Sequence, residues 1–387
     1  MTHLARPKKS GLARAAVAAV ALTTLSLSLV ACGSDSGADD SSSASDDSTM
    51  SAELEALTKP VDSYDLPSES LDASSLAGET IYYIPITSQS PQFAVTQAAL
   101  KNALDAVDIS LQVCDGKATP TDVSACVTQA TEAKAGAIIT DAIPYALAAN
   151  AFDDAQAAGI PIVNTNQLAS DDYPASDTLA YIEASGSAMQ EALAEWVIAD
   201  SDGSGQVLIN QGTDGPAPAV FVAAGQKVYD DSCDGCKVTV NEVSSANFSL
   251  ITPSTSAALV KDPSITYVVS QFEQYLQPTE AGVQQTSRTD IKGLTGSVQL
   301  SGLKALASGD FLYAAAGQAS AFSGWADADV AMRLMLGMDV PTYTIPVRLF
   351  TRDTIDDVTL TDAAEASGEW YGPTTFPEDF EKLWGVK

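Results

Sequence analysis

From Gly78 onward the chain alternates apolar runs of strand length with longer amphipathic stretches, and this rhythm constrains the fold more than any other feature. Thr80 to Ile84, Ile109 to Val113, Ala137 to Ile139 and Ile160 to Val163 predict strands. Gln92 to Val107, Thr121 to Lys134 and Pro144 to Ala158 predict the helices between them. The first of these helices carries Phe93, Ala99, Leu100, Leu104 and Val107 on one side. Near-continuous apolar strands separated by helices specify a parallel sheet covered on both faces. A second series follows, with strands at Leu179 to Ile182, Gln206 to Ile209, Val238 to Val243, Ile265 to Val269, near Ile291 and at Phe311 to Ala315. Its helices are predicted at Ala188 to Ala199, Ala217 to Tyr229, Ser254 to Lys261, Thr279 to Gln285, near Leu303 and at Trp325 to Gly337. Two series of comparable length predict an α/β protein of two doubly wound parallel-sheet lobes. In open α/β sheets a ligand sits beyond the carboxyl ends of the strands, so two such lobes facing each other form a cleft.

The first residues have a different character. Arg6, Lys8, Lys9 and Arg14 precede an apolar run from Ala15 to Ala31 that is diluted by Thr and Ser, the layout of an export signal rather than of a membrane span. The run ends Leu29-Val30-Ala31-Cys32-Gly33, which resembles a bacterial lipobox, in which the Cys thiol takes a diacylglycerol and becomes the new N-terminus. Cleavage before Cys32 removes four cations and His3, the single histidine of the 387-residue chain. A chain without histidine excludes Ser-His-Asp and Cys-His nucleophilic catalysis and His-ligated metals. The balance of 19 Lys+Arg against 50 Asp+Glu excludes nucleic-acid binding. No cofactor and no metal are expected.

Cys114, Cys126, Cys233 and Cys236 remain, an even number in an exported chain, which suggests the local disulfides 114 with 126 and 233 with 236. Cys233-Asp-Gly-Cys236 also has the spacing of a redox pair or of free thiols. It stands after a predicted helix and before a strand, however, whereas a redox CxxC opens a helix.

Residues 1–31 are thus read as a lipoprotein signal peptide and 32–77 as a disordered, acidic, Ser/Asp-rich tether, poor in aromatic residues. The N-terminal lobe is assigned to 78–170 with 276–318, and the C-terminal lobe to 175–272 with 322–352. Residues 353–387 form an aromatic tail holding Trp370, Tyr371, Phe376, Phe380 and Trp384, which either docks on the body or presents a patch to a transporter.

Three segments carry a resemblance to a known family. They are Ile81-Tyr-Tyr-Ile-Pro-Ile-Thr-Ser-Gln-Ser-Pro-Gln-Phe93, Ala157-Ala-Gly-Ile-Pro-Ile-Val163 and Ala316-Gly-Gln-Ala319. Their order and spacing resemble the type 1 periplasmic solute-binding proteins of the ribose-binding kind. The resemblance implies two lobes joined by three chain crossings, placed here near 168–178, 270–277 and 316–323, that close on a sugar or other small solute for an ABC permease. Carried onto this sequence, it implies a ligand-stacking Phe93 beside Gln89 and Gln92, Asp141 after the third strand, and Asn166 and Gln167 after the fourth. Gln271 and Phe272 fall at a hinge, Ser297 at the next strand end and Gln318 at the third crossing. Asn166 and Gln167 stand where ribose-like binders carry an acid and a base. The segment Gly212 to Gly225 lacks the Arg expected there. Both departures replace charge by neutral groups, and amides with aromatic faces suit an uncharged polyhydroxy or cyclic ligand.

The expectation is therefore a non-enzymatic, monomeric, lipid-anchored receptor on the outer face of the cell membrane that captures an uncharged sugar or polyol for ABC permease subunits. A sensory receptor for a membrane kinase, a binder of a non-sugar cyclic solute and a carboxylate-dependent hydrolase are the alternatives.

Overall fold

The computed structural model describes residues 51–386, so the export signal, Cys32 and residues 32–50 of the expected tether lie outside the described residues. The described chain begins α1 (Ala52–Leu57), β1 (Thr80–Pro85), α2 (Pro91–Asp105), β2 (Ser110–Val113), α3 (Pro120–Glu132), β3 (Ala137–Asp141), α4 (Ala149–Ala157), β4 (Ile162–Gln167) and β5 (Leu179–Glu183). It continues α5 (Gly186–Asp200), β6 (Gln206–Gly212), α6 (Ala217–Ser232), β7 (Lys237–Val243), α7 (Ile251–Lys261), β8 (Tyr267–Ser270), α8 (Leu276–Gln285), β9 (Lys292–Thr295), α9 (Leu300–Ser308) and β10 (Leu312–Gln318). It ends α10 (Ser320–Met335), β11 (Val347–Thr351), α11 (Asp362–Ser367) and α12 (Phe376–Leu383).

Two sheets result. The first has the order β2-β1-β3-β4-β5 and the second β11-β10-β9-β8-β6-β7. Every pairing is parallel except that of β11 with β10. The inner strands β1, β3, β4, β6 and β8 are buried along almost their whole length because successive side chains enter different cores. Ile81 and Tyr83 of β1 point into one apolar cluster, while Tyr82 and Ile84 point into another. In β6, Val207 and Ile209 likewise part from Leu208.

The lobes are assembled differently from the expected assignment. The chain leaves the first sheet only after β5, because β5 pairs in register with β4. Residues 168–178 turn back within the first lobe through bridges Ser170↔Tyr173 and Ser176↔Leu179. The 270–277 segment joins β8 to α8 inside the second lobe, and β9 and β10 extend that same sheet, so 276–318 belongs to the second lobe and not the first. Helix α10 returns to pack on α2, β3 and β4, and only β11 of 322–352 rejoins the second sheet. The crossings therefore lie at 183–186, 318–320 and 336–346, of which only the second coincides with an expected one. A short apolar strand has no local label for the sheet it joins; the available parallel edge decides.

Residues 51–77 are structured, contrary to the expected tether. Leu54 of α1 is buried in the same cluster as Met189 and Trp196 of α5. Tyr64 stacks on Phe322 of α10 with ring centroids 4.1 Å apart, and Val61 N–H donates to the Tyr371 carbonyl at 2.8 Å. Leu71 N–H donates to the Leu383 carbonyl at 3.0 Å. Apolar side chains scattered through this Ser/Asp-rich stretch anchor it as a strap reaching from the second lobe to the first.

The aromatic tail docks on the body: Trp370, Tyr371, Phe376, Phe380 and Trp384 are all buried. Trp384 stacks on Trp325 at 5.4 Å, and its Nε1 donates to Asp329 Oδ1 at 2.8 Å. The other Asp329 oxygen takes Arg333 Nε at 2.7 Å and Tyr343 Oη at 2.8 Å, so this buried charge is fully paired. Two disulfides are present. Cys114–Cys126 ties the end of β2 to α3, and Cys233–Cys236 closes the turn between α6 and β7.

Candidate functional site

The carboxyl ends of both sheets face one another across a cleft with a cavity of about 80 Å³. The first lobe contributes Ile86, Thr87, Ser90, Gln92, Phe93, Ala118, Ala142, Asn166 and Gln167; the second contributes Met189, Asp214, Ala217, Pro218, Phe221, Ser245, Phe272, Gln274, Tyr275 and Ser297. Ala184, Gly186 and Gln318 line it from the crossings. Three strand-end residues on this wall, Ala142, Asn166 and Ser297, hold φ between 53° and 58°, a left-handed conformation that costs a non-glycine residue of order 1 kcal/mol and that clusters at ligand sites.

Of the ten residues expected from the sequence, the structure brings Gln92, Phe93, Asn166, Gln167, Phe272, Ser297 and Gln318 together on the wall. The other three are elsewhere. Gln89 is exposed beyond the lining, its backbone N–H donating to Thr87 Oγ1 at 3.3 Å. Gln271 is turned into the second lobe. Its Oε1 accepts from Gly212 N–H and its Nε2 donates to the Pro218 carbonyl, both at 2.7 Å, so its amide fixes the β6–α6 loop.

Asp141 lies fully buried beneath the wall. It accepts from Tyr83 Oη at 2.5 Å and from Asn166 Nδ2 at 2.8 Å, while Asn166 Oδ1 accepts from Gln318 Nε2 at 2.8 Å. The chain Tyr83–Asp141–Asn166–Gln318 thus couples the first lobe to a crossing and orients both cleft amides. Burial pushes the Asp141 carboxyl up to about 6, against the two hydrogen bonds, which favour the ionised form. Asp327 of α10 is also fully buried, with the Thr165 hydroxyl as the polar group beside it. Its burial, together with the Asp141 charge, holds it well above the usual carboxylate range.

Several wall residues escaped the sequence reading. Asp214 accepts from Ser244 Oγ at 3.1 Å, Ser245 N–H at 3.0 Å and Tyr275 Oη at 3.3 Å. Burial raises the Tyr275 hydroxyl above its ordinary value. Asp214 and Phe221 sit within Gly212 to Gly225, where the sequence drew attention only to a missing Arg; Met189 and Gln274 carry no local signal at all.

The lobes meet at the cleft mouth. Gly215, at φ +107°, packs on Pro144 so closely that a Cβ there would stand 2.6 Å from the proline Cγ. Glycine permits both the dihedral and the approach. Among the described residues no cluster of His, Cys, Asp or Glu forms a metal site, and no helix is long and apolar enough to cross a membrane.

A family model described as a periplasmic binding protein domain matches residues 81–339. The solved structures that resemble this chain include a 5-methylthioribose transporter solute-binding protein from Thermotoga lettingae TMO in complex with 5-methylthioribose. It is 16% identical, with a TM-score of 0.68 over 84% of this chain and 100% of that one. An ABC transporter solute-binding protein from Bacillus halodurans C-125 with bound myo-inositol is 18% identical, TM-score 0.62, over 73% of this chain and 97% of that one. Another from Mycobacterium smegmatis, with bound glycerol, is 19% identical, TM-score 0.64, with the same coverage of 73% and 97%. At these identities the likeness is one of fold. No curated protein sequence matches the chain.

Proposed function

The chain belongs to the periplasmic binding protein domain family, and from that membership we propose that it is the extracytoplasmic solute-binding lipoprotein of an ABC importer. In this reading it captures an uncharged, sugar-like molecule between its lobes and delivers it to permease subunits. Cys32 carries the lipid anchor.

The observation that carries the proposal is the wall itself. Among the described residues the Gln92 and Gln167 side-chain amides have no protein partner; with Phe93 in the first turn of α2 and Phe272 after β8, they line a cavity wall free of Lys and Arg. Unpaired amides match the donor and acceptor rim of hydroxyls, and the rings match the apolar face of a cyclic solute. Similar solved structures are ABC transporter solute-binding proteins in complex with sugars and polyols, which supports the same class.

Thermal-shift and calorimetric screening against sugars, polyols, cyclitols and apolar ring compounds tests the proposal. A true ligand at 100 times its dissociation constant adds about 2.7 kcal/mol of stability. Binding is expected at one site per chain with the compound recovered unchanged. Chemical conversion of the bound compound, or no stabilisation by any member of the screen, refutes it. A Cys32→Ser variant is expected to leave the membrane fraction; retention there refutes the anchor.

A further inference from the structure

We infer that the solute is amphipathic, with an uncharged hydrogen-bonding ring held by the first lobe and a compact apolar substituent seated against α6 of the second. The inference rests on the reading of the chain as a small-solute receptor and adds which class of solute it takes.

The two walls differ in what they leave free. On the first lobe, Ser90 Oγ and the Gln92 and Gln167 amides make no hydrogen bond to protein. On the second lobe, Asp214 is the only charged group on the wall, and its oxygens are already taken by Ser244, Ser245 and Tyr275. The start of α6 is also poor in donors. An exposed helix N-terminus normally presents free N–H groups to a ligand, but Pro216 and Pro218 have none, which leaves only those of Ala217 and Ala219. Met189, Ala217, Pro218 and Phe221 cover that end. Gly186 fixes the Phe221 ring from behind, since a Cβ at this position would stand 2.3 Å from it.

A hydroxyl turned toward the Met189, Pro218 and Phe221 side chains would lose its water and meet no polar side chain there, whereas a methyl, thioether or aryl group gains by burial. The hydrogen bonds that remain on the second lobe are few: Ser297 Oγ is free, and Gln274 Oε1 is buried without a partner. These serve the ring edge and leave the side chains of the α6 face apolar.

Matched pairs of probes test the inference by calorimetry on the full chain: D-ribose with its 5-methylthio derivative, and D-glucose with phenyl β-D-glucoside. In at least one pair the substituted member is expected to bind about tenfold tighter, equivalent to about 1.4 kcal/mol. Phe221→Asn is expected to bring the two members within about threefold, while Phe221→Leu keeps the preference. Should Phe221→Asn fail to fold on thermal melting, Met189→Gln gives the same readout. Equal or tighter binding of the unsubstituted sugar in every pair overturns the inference and leaves solute capture standing. Failure of both members of every pair, with no binding of apolar ring compounds either, overturns both readings.

Discussion

Replacing Asp141 by Asn isolates one buried carboxyl whose folded state prefers the proton. The group titrates near 3.8 when unperturbed and near 6 in the fold. The folded chain therefore binds more protons than the unfolded chain between those values, and stability falls as pH rises through the window. The contribution is fully present below about pH 3.8 and lost above about pH 6. At 1.36 kcal/mol per pH unit, the loss is about 3 kcal/mol. With roughly 340 ordered residues and an unfolding entropy of about 2.1 cal/mol/K per residue, that corresponds to a melting shift of about 4 °C. Thermal melts of the parent and the Asp141→Asn variant from pH 4 to pH 8 measure it. The parent is expected to lose about 3 kcal/mol relative to the variant, with the difference flat above pH 7. The same pair in an Asp327→Asn background separates the two buried carboxyls, because Asp141's charge also acts on Asp327. Parallel curves, differing by a constant offset across the range, would refute the reasoning: Asp141 would then be solvated or ionised throughout.

Three other perturbations follow from the packing. Gly215→Val places a branched side chain against Pro144 at a left-handed position, so ligand affinity should fall at least tenfold and small-angle scattering should show a more open molecule; an unchanged radius and affinity contradict closure at this contact. Trp384→Ala removes the ring stacked on Trp325 and the hydrogen bond to Asp329, and should cost about 3–5 kcal/mol, read as a melting-point drop of several degrees; a loss below 1 kcal/mol would mean the tail is not part of the core. Replacing Cys114 and Cys126 by Ala opens a loop with a sequence separation of 12 residues, for which chain entropy gives about 3 kcal/mol; the Cys233–Cys236 pair, separated by 3, should cost less, and the reverse order in denaturant titration would contradict the loop-length argument.

Most strands and helices were legible because an apolar run buried on both faces differs from an amphipathic stretch at the level of single residues. The ordered strap was not. Leu54, Tyr64 and Leu71 are too widely spaced to show a period, and they order only because α5, α10 and the tail supply surfaces to meet them. The same holds in the cleft. Phe93, Asn166 and Gln167 were found because strand ends predict a position, whereas Met189 and Phe221 reach the wall from helices whose rotation only the assembled lobe sets. Asp141 and Gln271 have the right sequence address and face away from the cavity, because buried polar groups in their own lobe claimed their hydrogen bonds first.

By itself the sequence determined the two βα series and the local cysteine pairs, both of which depend on residue type and near neighbours. Tertiary structure alone decided which sheet β9 and β10 extend, where the chain crosses, that residues 61–73 hydrogen-bond to the tail, and that Met189, Ala217, Pro218 and Phe221 share one patch of the wall. These are choices among partners distant in sequence. They are fixed by which edges, surfaces and hydrogen-bonding groups remain unsatisfied once the local elements have formed.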